Sequence, residues 1–190
     1  MVRMPSIKPS ELTAEQRSLD GHVRQLMAGL PAPFTSTDPD GALIGPFPVM
    51  LRYPGLARPL LEWFTAGTGA SVLPARVREV AILTTGSRYA AAYELYSHSR
   101  VALAVGLPED IIEGLVAGQR PAGMTAEETV AHDVAARLHS GAPLPGALYR
   151  AGVRAFGDAG MAELVFLVAQ YAAISAVLNA YDVPLPPDGD

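Results

Sequence analysis

The stretch Tyr93-Glu94-Leu95-Tyr96-Ser97-His98-Ser99-Arg100 gathers more reactive side chains than any other part of this 190-residue chain. Glu94 and His98 stand four positions apart, which on a helix puts their Cβ atoms about 5–6 Å from each other on one face. A carboxylate beside an imidazole raises the histidine pKa and fixes its tautomer, and that equips the pair for proton transfer near neutrality. The same spacing is common in solvated surface pairs contributing a few tenths of a kcal/mol. Spacing alone leaves both readings open. Tyr93 and Tyr96 could donate to a developing oxyanion or simply pack. Arg88 could take a substrate carboxylate with its two-pronged guanidinium, or end a helix in solvent. Glu79, close to Arg76 and Arg78, is either half of a surface ion pair or a relay to His98.

Composition narrows the chemistry. The chain contains no Cys, which rules out disulfides, thiolate metal sites and thiol nucleophiles. Its net charge of −5 comes without any cluster of Lys or Arg, so a nucleic-acid partner is not expected. With 49% hydrophobic residues and a mean hydropathy of +0.22, either the core is large or other subunits cover apolar surface. No run is expected to span a membrane. The richest, Leu164 to Ala180, is interrupted by Gln170, Tyr171, Ser175 and Asn179 and reads as a buried helix. No secretory signal is visible at the N-terminus, and a cytoplasmic location is the expectation.

The elements that must position these residues read as helices throughout, in a single domain over 1–190 with a loose N-terminal arm over 1–9. Thr13-Ala-Glu-Gln16 and Thr125-Ala-Glu-Glu128 have the form of capping boxes. They predict helices to about Gly29 and about His139. Between them come a Pro-rich loop over 30–41, short helical pieces over 48–53 and 54–64 with Pro59 limiting the second, and a restart at Pro74 as a first helical position. A helix over 90–105 stops at Gly106, another opens after Pro108, and the last two begin at Pro145 and Met161. Alternating β-branched runs and hairpin turns are missing. His22, His132 and His139 read as structural, and Asn179 in its apolar surroundings needs a hydrogen-bond partner.

The segment Leu73-Pro-Ala-Arg-Val-Arg-Glu79-Val-Ala-Ile-Leu, followed by Tyr93-Glu94-Leu-Tyr-Ser-His98 and Ala104-Val-Gly-Leu-Pro, resembles the core motif of the carboxymuconolactone decarboxylase and alkylhydroperoxidase D (AhpD) superfamily. That motif occupies 73–108. Leu43-Ile-Gly-Pro46, Met50-Leu-x-Tyr-Pro54 and Glu163 to Pro184 extend the likeness to roughly 42–186. The resemblance implies an all-α, AhpD-like fold assembled as a homotrimer or hexamer. Aligned on Glu79 and His98, the two Cys of the peroxidase branch fall on Ala91 and Glu94, so thiol peroxidase activity is excluded. The decarboxylase-like branch remains. It implies a cofactor-independent decarboxylase for a small carboxylated lactone or enone in aromatic catabolism. His98 would be the general acid, Glu94 would hold it, and Glu79 would orient it or relay a proton. Arg88, Tyr93 and Tyr96 would then bind the substrate. Two rival readings are a Zn²⁺ or Fe²⁺ enzyme using Glu79, Glu94 and His98, and a non-catalytic ligand-binding or structural oligomer.

Overall fold

A computed structural model describes residues 3–29, 34–68 and 71–187. Among them are eight α-helices and no strand: α1 Ala14–Ala28, α2 Phe47–Arg52, α3 Pro54–Thr68, α4 Ala75–Tyr89, α5 Ala92–Ala104, α6 Glu109–Val116, α7 Ala126–Leu138 and α8 Gly146–Ala180. The all-α, AhpD-like expectation holds. Both capping boxes form. Thr13 Oγ1 accepts from the Gln16 amide while Gln16 accepts from Thr13, and Thr125 with Glu128 repeats the arrangement.

Helix α4 is the hub, packed by α5, α6, α7 and α8. Its residues from Glu79 to Gly86 are all buried: Val80, Ala81, Ile82 and Leu83 pack in the core, and the hydroxyls of Thr84 and Thr85 bond back to the Val80 and Ala81 carbonyls. Each buried Val, Ile or Leu side chain contributes about 1.5–3 kcal/mol by leaving water. One apolar cluster joins α4 to α6, α7 and the middle of α8. A second joins α1, α2, α3 and the start of α5 to the end of α8, through Leu19, Phe47, Leu51, Tyr93 and Leu178.

Several boundaries depart from the sequence reading. Helix α3 continues through Pro59, which leaves the Gly55 carbonyl without its helical N–H partner. Pro74 caps α4 rather than beginning it. The helix expected from Ala90 starts at Ala92, because Ala90 takes a left-handed conformation (φ 50°) that closes α4. The two helices expected from Pro145 and Met161 are both present, meeting end to end within α8 across the non-helical Gly157. Its φ of 70° and ψ of 177° are open essentially to glycine alone.

Helix α8 is also long and apolar enough to cross a membrane by length and composition, which corrects the expectation that no run qualifies. In this fold α4 and α7 pack against it, and Leu164, Leu167, Val168 and Leu178 are buried. The N-terminal arm is tied down: Ile7 packs on the second cluster, Ser6 bonds Asp38, and Arg3 donates to the Ala180 carbonyl. Residues 30–33 of the Pro-rich loop lie outside the described residues. From Phe34 the loop runs through a Thr37–Leu43 bridge into α2.

Ala90 is a non-glycine residue held left-handed, a conformation that costs about 1–2 kcal/mol per residue. Ala90→Gly is therefore expected to raise stability by about 0.5–1 kcal/mol despite the greater freedom glycine returns to the unfolded chain. Chemical denaturation checks this; a destabilised variant would show that Ala90 makes contacts worth more than its strain.

Candidate active site

Glu79 comes from the middle of α4, and Glu94 and His98 from successive turns of α5. The two helices meet closely at Gly86, where an added Cβ would lie 3.1 Å from Leu95 Cδ2 and 3.3 Å from Glu94 Cγ. That approach brings all three polar side chains together. His98 Nδ1 lies 2.8 Å from Glu79 Oε2, the geometry of an N–H donating to a carboxylate, and His98 Nε2 is 3.5 Å from Glu94 Oε1. The side chains of His98, Glu79 and Glu94 are 13%, 8% and 5% exposed. Glu79 is thus no surface ion pair. Arg76, its nearest candidate partner in sequence, instead pairs with Glu128 at 2.8 Å.

The two carboxylates sit on opposite nitrogens of one imidazole. The three residues therefore form a chain, glutamate to histidine to glutamate, and not a cup converging on one point. Among the described residues no group of His, Asp and Glu is arranged to hold a metal ion.

Burial acts differently on the members of the chain. It pushes the Glu94 carboxyl up to about 7; the His98 charge pulls against this and the Glu79 charge adds to it. Burial also disfavours a charged His98, but the charges of Glu79 and Glu94 and the bond to Glu79 outweigh it, holding the imidazole above its ordinary value. Each member's charge thus favours the charged form of the other, and the pair titrates as a unit. Glu94 Oε1 is buried and has no hydrogen bond, so it is an acceptor without a donor.

This has a consequence for stability. A carboxyl whose folded pKa lies above its unfolded value is harmless below pH 4.5 and increasingly destabilising as pH rises towards 7. The raised His98 acts in the same sense, its contribution being complete below 6.5 and lost as pH passes its folded value. Glu94→Gln is expected to match the wild type near pH 4.5 and to exceed it by about 1–3 kcal/mol at pH 8. Denaturant melts at the two pH values measure the difference; a variant weaker than wild type at pH 8 would refute the burial argument.

The chain of groups forms part of the wall of a cavity of about 560 Å³ at the seam between the two apolar clusters. Phe34, Phe47, Met50, Leu61, Phe64 and Ile174 supply apolar side chains to the remaining wall. Tyr171 of α8 stands edge-on to the His98 ring with centroids 4.9 Å apart, and Phe64 stands edge-on to Tyr171 at 5.5 Å. Burial, with the charges of Glu94 and Glu79, pushes the Tyr171 phenol well above 10, so it stays a neutral donor.

The substrate-binding residues expected from sequence fare unevenly. Tyr93 lines the cavity, but its hydroxyl donates to the Thr35 carbonyl at 2.9 Å. The Tyr96 ring is buried behind it, its hydroxyl accepts from the Thr35 amide at 3.0 Å, and Arg100 lies over its face. Both tyrosines hold the segment at Thr35. Arg88 is exposed on the last turn of α4 and does not line the cavity. The cation that does is Arg78. Sequence reasoning missed it, together with Tyr171, whose place beside His98 has no local signal. His139 bonds Thr85 and stacks edge-on with Tyr89, and His132 bonds Asp133, as structural histidines do. Asn179 finds its partner in the Tyr89 carbonyl at 2.6 Å.

No protein-family model matches the chain, and no curated protein does either. Among solved structures it is similar to the debrominase Bmp8, crystallised as a Cys-to-Ala variant in complex with 2,3,4-tribromopyrrole. The TM-score is 0.76 at 15% identity, over 98% of this chain and 92% of that one. The likeness establishes the fold. It also corrects the decarboxylase expectation, since the fold here is shared with a debrominase and brings no carboxy-lyase activity with it. The metal-dependent and non-catalytic alternatives gain no support from it either.

Proposed function

We propose that this chain is a proton-transfer enzyme acting, without a thiol, on a small and mainly apolar ring compound. The observation that carries the reading is the Glu94 carboxyl, which lines the cavity and lies 3.5 Å from an imidazole whose other nitrogen is held by Glu79. A carboxylate on a cavity wall with no hydrogen-bond donor among the described residues has a ligand proton as its natural partner. The relay then needs no further component. A ring N–H or O–H proton passes to the Glu94 carboxylate, the His98 imidazolium delivers a proton to a ring carbon, and transfer from Glu94 to His98 resets the site. The substrate leaves as a tautomer; nothing is oxidised or reduced.

The wall composition supports the ligand class. Aromatic and aliphatic side chains surround a few polar groups, as in sites for small apolar molecules. The tribromopyrrole bound by the debrominase, a planar ring with one N–H, is a molecule of this kind. The Cys replaced in that structure has no counterpart here, because this chain has no Cys. Its chemistry is not carried over.

The test is exchange of ring protons in D₂O. Pyrroles and phenols, plain and brominated, are incubated with the protein, and deuterium at ring carbons is followed by NMR. The expected result is exchange faster than in buffer, with a pH profile that bends near 7 as Glu94 changes charge. Exchange no faster than buffer for every ring tried would overturn the reading.

A further inference from the structure

Two donors on the cavity wall have no partner among the described residues. Arg78 lies one residue before Glu79 on α4 and is only half-buried, and among the described residues its guanidinium makes no hydrogen bond or ion pair. The carboxylates around it are occupied. Glu79 accepts from His98, and Glu163, which borders the adjoining depression with Arg78, accepts from the Ser71 hydroxyl and the Val72 amide. The second donor is Tyr171. Its hydroxyl has no partner among the described residues and is not one of the sealed, unsatisfied polar atoms of the interior. Its residue lines the cavity. Arg78, Tyr171, His98 and Glu94 line one cavity: Arg78 and Tyr171 are donors, and the Glu94 carboxylate is an acceptor.

We infer that Arg78 and Tyr171 bind a negatively charged ring oxygen, so that the substrate is a phenol or enol that reacts through its oxyanion. This rests on the proton-transfer reading and deepens it. Once the O–H proton has passed to Glu94, the oxygen left behind carries a full charge in a mainly apolar cavity. A guanidinium and a neutral phenol are the groups that stabilise such an oxygen. The charge count permits it. With Glu94 protonated, the cations Arg78 and His98 face the single anion Glu79. A pyrrole offers no oxygen, so the pair distinguishes hydroxylated rings from N–H rings.

The test uses 4-nitrophenol, whose phenolate absorbs visible light and so reports its own ionisation when bound. The expected result is that the wild type binds the phenolate in preference, lowering the apparent pKa of the bound dye by about one unit, a tenfold preference. Arg78→Met should abolish the shift, Arg78→Lys should retain part of it, and Tyr171→Phe should reduce it by several-fold. Circular dichroism verifies that each variant is folded. A bound dye with its free-solution pKa, or a shift that survives Arg78→Met, overturns the inference, as does failure of the dye to bind. Ring-carbon exchange of pyrroles in the absence of any phenolate preference would leave the proton-transfer reading intact while this one fails. Phenolate binding without exchange of any ring would reverse that outcome.

Discussion

Replacing His98 by alanine is expected to slow ring-carbon deuteration by about 10²–10⁴-fold, the usual contribution of a positioned acid or base. Among the described residues, His98 is the imidazole that touches both carboxylates. Without it, Glu79 loses the donor on its buried oxygen and Glu94 loses the cation that steadies its ionised form. Breaking a buried charged pair costs about 3–5 kcal/mol, so the variant must be assayed well below its melting temperature. His98→Asn serves as the companion, since its amide can donate to Glu79 but cannot carry a proton between the carboxylates. Both variants should lose the rate, and His98→Asn should keep more of the stability. Exchange within a few-fold of wild type in a folded His98→Ala protein would remove His98 from the mechanism.

Gly45→Ala is expected to cost about 2–5 kcal/mol and to lower the melting temperature by roughly 5–15 °C. Gly45 has φ +70°, and a Cβ there would stand 2.5 Å from Cε1 and 2.6 Å from Cζ of Tyr93. The left-handed backbone accounts for about 1–2 kcal/mol. Pushing a buried ring aside accounts for about 1–3 kcal/mol more. The ring cannot yield cheaply, because its hydroxyl is fixed to the Thr35 carbonyl at 2.9 Å. Differential scanning calorimetry gives the answer; a melting temperature within a degree of wild type would show that the contact relaxes without strain. Ala90→Gly, also at a left-handed residue, should move stability the opposite way.

Where local chemistry decides the structure, the sequence was legible. Thr13 with Gln16 and Thr125 with Glu128 mark the starts of α1 and α7 because capping needs only four consecutive residues. The i,i+4 pair on α5 was equally visible. That Glu79 completes it came from the family resemblance, since a contact between α4 and α5 depends on how the helices meet at Gly86. Arg88 was the wrong arginine for a reason helix geometry supplies. At about 100° per residue, nine residues turn roughly 180°, so Arg88 faces away from Glu79 once both lie on one helix. Tyr171 was out of reach, because it meets His98 only when α8 folds back across the hub. A break between the helices begun at Pro145 and Met161 was legible, but its place at Gly157 depends on φ and ψ that the sequence does not disclose.

The paired tyrosines of α5 bear on the shape of the site. Tyr93 and Tyr96 grip the two sides of one peptide residue, Thr35, at 2.9 and 3.0 Å, and the neighbouring Phe34 forms part of the cavity wall. Each bond contributes about 0.5–1.5 kcal/mol net. The tyrosines assigned to substrate binding from sequence thus act through the backbone, fixing where Phe34 stands in a cavity whose chemistry lies elsewhere.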